Sequence, residues 1–170
     1  MAVREILYLG NPILWRKSDP VVPVEIPALG LVVTDLHDTL MDFRKRYGAG
    51  RAIAAPQVGV LKRLVYMCID SPIVFINPHL ENLGTEMFEL WDDCMSFPDL
   101  LVKVRRHHSC RVVYRDQTWN EHTLALEGAL SELLQHECDH LDGILAIDRA
   151  IDNHSIIYRN QRTDLAGRDM

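Results

Sequence analysis

The sequence predicts an α+β fold: small antiparallel sheets packed around a central helix, with a second amphipathic helix near the N-terminus. Three observations carry that prediction. Apolar residues recur at three- and four-residue steps from Leu29 to Tyr47. Short strand-like runs fill the middle of the chain, and a second helical pattern runs through Leu133 to Gly143. Strands gathered between two helices, rather than alternating with them, speak against βαβ units. The chain has 170 residues, which suits one domain over 1–170 with a sizeable core.

In chain order, residues 1–28 read as an irregular arm. Ile6-Leu7-Tyr8-Leu9 is a short apolar run followed by turn chemistry at Gly10-Asn11-Pro12, and Pro20, Pro23 and Pro27 exclude a long helix. The first helix follows, with Leu29, Val32, Leu36, Leu40, Phe43 and Tyr47 on one face. Asp35, Asp38, Asp42 and Arg44 are expected to face water, His37 lies off the stripe, and Gly48 ends the helix. Leu64 to Ile69, Ile73 to Ile76 and Val112 to Tyr114 are β-branched or aromatic runs bounded by Asp, Pro or Gly. Asn77-Pro78 marks a break, and Asp116 to Asn120 reads as a hairpin turn with His122 to Leu126 returning. Arg105-Arg106-His107-His108 is expected to be a solvated basic face. The part after Asp148 is short and polar, and no long C-terminal helix is assigned there.

Composition narrows the function. Hydrophobic residues make up 48% and charged residues 25%, ordinary for a globular protein, and the net charge of -6 argues against general nucleic-acid binding. No apolar run reaches membrane-spanning length, and residues 1–5 lack a signal-peptide core. Four cysteines, Cys68, Cys94, Cys110 and Cys138, then read as reduced thiols of a cytoplasmic protein.

The most informative stretch is Leu133-Leu134-Gln135-His136-Glu137-Cys138-Asp139-His140-Leu141-Asp142-Gly143. Ala129, Leu130, Leu133, Leu134 and Leu141 supply an apolar stripe, so this segment is a packed helix, and Gly143 stops it. His136 and His140, four apart, share one helical face and are spaced to grip one divalent metal. Glu137 sits where its carboxylate reaches a water at that metal without becoming a ligand, which is the physical content of H-E-x-x-H. A third protein ligand is needed. Ala146 stands where a third downstream histidine would be, no Glu follows Glu137, and Asp142, Asp148 and Asp152 fit no defensible pattern. The search moves upstream, where spacing favours Cys94 only modestly over the other cysteines, each of which is ordinary as a buried small hydrophobe. Gly48 to Gly59 forms a second notable stretch, rich in small residues around the polar Gln57, whose amide N–H suits an oxyanion.

Taken together, G-x-x-x-A-A-P-Q (Gly50 to Gln57), D-D-C-M-S (Asp92 to Ser96) and H-E-C-D-H (His136 to His140) resemble, in order and spacing, the three motifs of the peptide deformylase family. That family's patterns are G-x-G-x-A-A-x-Q, E-G-C-x-S and H-E-x-D-H, and the resemblance runs from about Leu7 to Asp148. It implies that Cys94, His136 and His140 hold one divalent metal ion, ferrous iron first, with zinc, nickel or cobalt accepted by related members. It implies Glu137 as proton carrier, with Gln57 and the backbone N–H of Met95 facing the formyl oxygen. The implied reaction removes the formyl group from the N-terminal formyl-methionine of nascent polypeptides, releasing formate, with the ribosome as a further partner. Neither direct nucleic-acid nor membrane binding is implied.

The chain departs from the family pattern around the substrate. Arg51 and Ala52 follow Gly50 where an aliphatic residue and a second glycine are usual, and Asp92-Asp93 replaces Glu-Gly. Glu132, beside Leu133, stands at a position commonly apolar, and Arg51 and Glu132 are expected to pair across the pocket. Gly50, Arg51, Ala52, Asp93, Glu132 and Leu133 are therefore the candidate substrate-binding residues. Two other readings follow from these departures: a related amidase acting on another acyl group, and a non-catalytic metal- or peptide-binding homologue.

Overall fold

A computed structural model describes residues 2–162 of the chain. The polar tail beyond residue 162 lies outside the described residues. Helix α1 spans Ile26–Tyr47, and α2 spans Gly128–Leu141. Between them lie strands β1 (Ala52–Ala54), β2 (Leu64–Cys68), β3 (Pro72–Glu81), β4 (Met87–Asp92), β5 (Leu100–His107), β6 (Ser109–Arg115) and β7 (Glu121–Glu127). A short β8 (Ile156–Tyr158) follows α2. Two antiparallel sheets result, one ordered β1-β2-β3-β6-β7 and the other β4-β5-β8, as the α+β expectation requires.

Helix α1 starts three residues earlier than its apolar periodicity indicates. Pro27 falls in the first turn, where a helix has no use for the missing N–H, so it opens the helix instead of forbidding it. Gly48 closes the helix in the left-handed region at φ 69°. Leu36 and Leu40 are fully buried against Ile53, Leu64 and Ile76. Two residues expected in water are not there. Asp35 is buried and accepts from Arg4 Nε at 2.7 Å, tying the N-terminal arm to α1. Arg44 bridges the carbonyls of Gly50 and Cys68.

The arm is irregular, but it is anchored. Leu7 N–H donates to Gln57 O at 2.8 Å, and Leu9 N–H to Ser96 O at 2.9 Å, so it laces two motif loops together. Asn77-Pro78 does not end β3. The strand absorbs it as a register shift between Ile76 and His79, with Asn77 at φ 51°.

Helix α2 sits where the two sheets meet. All eleven residues from Ser131 to Leu141 are buried, so the helix is enclosed on every side and not along one stripe alone. Ala129 and Leu130, assigned to that stripe, are exposed, so the enclosed part of the helix begins only at Ser131. Leu134 and Leu141, fully buried, pack with Phe75, Val65 and Val112. The enclosed polar residues need partners. Gln135 exchanges hydrogen bonds with the N–H and carbonyl of His107 at 3.0 and 2.8 Å, and Ser131 Oγ donates to the same carbonyl at 2.9 Å. At the far end, Gly143 (φ 73°) lets the chain turn under the Trp15 carbonyl; a Cβ there would lie 2.6 Å from that oxygen. No helix among the described residues is long and apolar enough to cross a membrane.

Candidate active site

On α2 the four-residue spacing brings His136 Nε2 to 3.2 Å from His140 Nε2. The third donor arrives from the other sheet. β4 ends at Asp92, and the turn that follows, closed by Phe97 N–H donating to Cys94 O, swings the Cys94 thiol onto the pair. Its Sγ lies 3.4 Å from His140 Nε2, and all three donor atoms fall within 4.8 Å of one another. Each of the three residues is buried. Around a tetrahedral ion, bonds of roughly 2.0 to 2.3 Å put neighbouring N and S donors about 3.3 to 3.6 Å apart. The two separations, 3.2 and 3.4 Å, come close to that spacing, and the thiol and two imidazoles are chemically suited to one ion.

The neighbours orient these donors. Asp92 Oδ2 accepts from His136 Nδ1 at 2.9 Å, which fixes the tautomer that leaves Nε2 free to coordinate. Arg106 reaches the same oxygen at 3.1 Å and Asp139 at 2.5 Å, and Arg149 grips Asp139 with two contacts of 2.6 Å. Burial works against the Asp92 charge, but His136 and Arg106 hold its pKa down to about 2. Two imidazoles this close cannot both be protonated. Burial opposes charge on each; Asp92 raises His136 well above its ordinary value, and His140 is driven well below. Burial also pushes Glu137 up to about 7, and its Oε2 is enclosed without a hydrogen-bond partner among the described residues.

A cavity of about 450 Å³ opens beside this cluster. Cys94, His136 and Glu137 line it, and His140 does not. Gln57 and Met95 also line it. Gln57 Nε2 points to Ser96 Oγ at 3.2 Å and Cys94 Sγ at 3.5 Å, while its Oε1 accepts from Ala54 N–H. The Met95 N–H has no acceptor among the described residues. The six candidate substrate-binding residues, Gly50, Arg51, Ala52, Asp93, Glu132 and Leu133, all line the same cavity. Arg51 meets Glu132 at 2.5 Å, the pairing expected from the sequence. Asp93 pairs with Arg159 at 2.9 Å across the mouth.

Several contributors escaped the sequence reading. Arg106, placed on a solvated basic face, is 2% exposed because two carboxylates meet it inside. The signal was present: Val102, Val104 and Arg106 alternate along β5, so Arg106 continues a buried face. Arg149 and Arg159 lie after α2 and leave no local pattern.

An α+β fold that sets a thiol, two imidazoles and an enclosed carboxylate against a cleft defines a metallohydrolase. A family model described as polypeptide deformylase matches residues 3–155, and the chain belongs to that family. It is 34% identical to a peptide deformylase of Leptospira biflexa, over 99% of this chain and 98% of that one. It is 40% identical to one from Parafrankia, over 88% and 79%. Among solved structures, peptide deformylase from Thermotoga maritima superimposes with a TM-score of 0.82 at 29% identity, covering 89% of this chain and all of the other. A peptide deformylase of Synechococcus elongatus in complex with actinonin gives 0.82 at 28% identity, over 89% and 81%. The chain is accordingly a metal-dependent enzyme that removes the N-formyl group from nascent peptides.

Proposed function

We propose that Cys94, His136 and His140 hold one divalent ion, ferrous iron in the first place, and that Glu137 is the proton carrier of formyl-methionine deformylation. Zinc, nickel or cobalt fit the same sulfur and nitrogen donors. The observation that carries the proposal is the convergence of three buried donor atoms beside a cavity into which Glu137 also faces. When bound, the ion supplies Lewis acidity and an activated water next to the formyl carbonyl. Glu137 takes up a proton there, and a carboxyl whose pKa lies near 7 can return it to the departing amine nitrogen. Gln57 Nε2 and the Met95 N–H supply hydrogen bonds to the formyl oxygen as charge develops on it. Asp92 and Arg106 keep His136 in register.

The peptide itself lies extended. β1 and β4 each end a sheet, so each offers an unpaired edge, and both run up to the cavity. A nascent chain added as a strand there enters with its formyl end toward Cys94. We place the reaction in the cytoplasm, on chains leaving the ribosome, carried out by one catalytic unit spanning residues 1–170. Ferrous protein prepared without oxygen should release formate from formyl-Met-Ala-Ser, and Glu137→Ala should lower the rate by about 10²–10⁴-fold while retaining the metal. Undiminished turnover in that variant would refute the assignment.

A further inference from the structure

The wall of the cavity nearest the reacting centre carries an ion pair that deformylation itself does not use. Glu132 precedes His136 by four residues, so the two side chains are neighbours on one face of α2. The Glu132 side chain is only 7% exposed, and its Oε1 meets Arg51 while Oε2 receives no hydrogen bond among the described residues. Arg51 also donates to Ala129 O at 3.2 Å, which fixes its guanidinium over the first turn of the helix. Burial raises the Glu132 carboxyl even with Arg51 alongside.

Bond lengths place the first Cβ of a formylated peptide within about 4 Å of its formyl carbon. With that carbon beside Cys94, His136 and Glu137, the first side chain either enters the cavity they line or turns outward to water. The mouth is marked by Asp93 and Arg159, both about half exposed (48% and 46%) and open to water. A side chain that enters passes Arg51 and Glu132, which share the lining with the apolar Leu133 and Phe43. An apolar one would cover what water still reaches the Glu132 carboxylate and return no hydrogen bond, while Arg51, 41% exposed, keeps its own. A neutral amide can donate to Glu132 Oε2 and accept from Arg51 at once.

On the deformylase reading, we infer that the Arg51–Glu132 pair is a specificity element, admitting formylated peptides whose first side chain ends in a neutral hydrogen-bonding group alongside formyl-methionine. The test compares kcat/KM for formyl-Gln-Ala-Ser and formyl-Met-Ala-Ser on the ferrous full-length protein and on Arg51→Leu/Glu132→Leu, in which both charges leave together. The wild type should turn over the two within about tenfold of each other, and the double variant should move the ratio toward methionine by about tenfold or more. A wild-type preference for methionine beyond about tenfold, or a ratio unmoved in the variant, overturns the inference. Binding of the products Gln-Ala-Ser and Met-Ala-Ser, measured by calorimetry on the wild type, reads the same discrimination without turnover and without dependence on the variant's folding. Should no formylated peptide be hydrolysed, the deformylase reading falls, and the product affinities still decide what the wall prefers.

Discussion

Removing Arg106 would leave buried carboxylates short of a partner just outside the donor cluster. Its side chain is 3% exposed and lies between Asp92 at 3.1 Å and Asp139 at 2.5 Å. In Arg106→Met the volume is nearly kept, so the loss is electrostatic. Asp139 retains both contacts from Arg149, whereas Asp92 is left with His136 alone. Breaking one side of a buried ion pair costs about 3–5 kcal/mol, and the surviving Arg149 contacts place this case near the lower end. For a chain of this length that corresponds to a fall in Tm of roughly 6–12 °C, read by thermal and urea unfolding of metal-free protein. A second readout is metal affinity, which should drop about 10–100-fold as Asp92, no longer held by Arg106, orients His136 less firmly. Arg149→Met supplies the contrast, since that side chain is 43% exposed and should cost about 1 kcal/mol or less. If Arg106→Met lost under about 1 kcal/mol and bound metal as the wild type does, the account of this charge chain would be wrong.

Other expectations concern separate parts of the molecule. Leu134→Ala, at a fully buried position on α2, should destabilise by about 2–5 kcal/mol in urea unfolding. Gly143→Ala combines φ 73° with a Cβ 2.6 Å from Trp15 O, so it should lose more than the roughly 1 kcal/mol of a simple left-handed strain. Cys94→Ala should leave a folded protein whose metal content, measured by elemental analysis, falls well below one ion per chain. A thiol reagent added to native protein should label Cys68, the most accessible of the four cysteines, before the buried Cys110 and Cys138, as mass mapping would show.

What the sequence made legible follows from what leaves a periodic mark. The apolar spacing of α1, the turn residues of the hairpin β6–β7 and the His136–His140 pair are local patterns, and each appears in the structure. The start of α1 was obscured because Pro27 reads as a breaker until its place in the first turn is known. Asp35 and Arg106 looked like solvent residues, since nothing near them in sequence announces Arg4, Asp92 or Asp139. The anchoring of the arm through Leu7 and Leu9 uses backbone groups, which every residue has, and so carries no signature. Among four cysteines, spacing could not choose the donor. The motif resemblance named Cys94, and the turn after β4 is the physical reason it can reach.

The cavity draws on segments that meet only through distant pairings. Cys94 depends on a sheet whose last strand pairs Leu100 with Tyr158, and Arg159 follows directly on that strand. Such long-range pairing costs more loop-closure entropy than the neighbour contacts that build α2. A chain with α2 formed and the sheets still open would offer an ion two imidazoles and no sulfur. On the proposed ligand set, metal retention would then report on the finished fold.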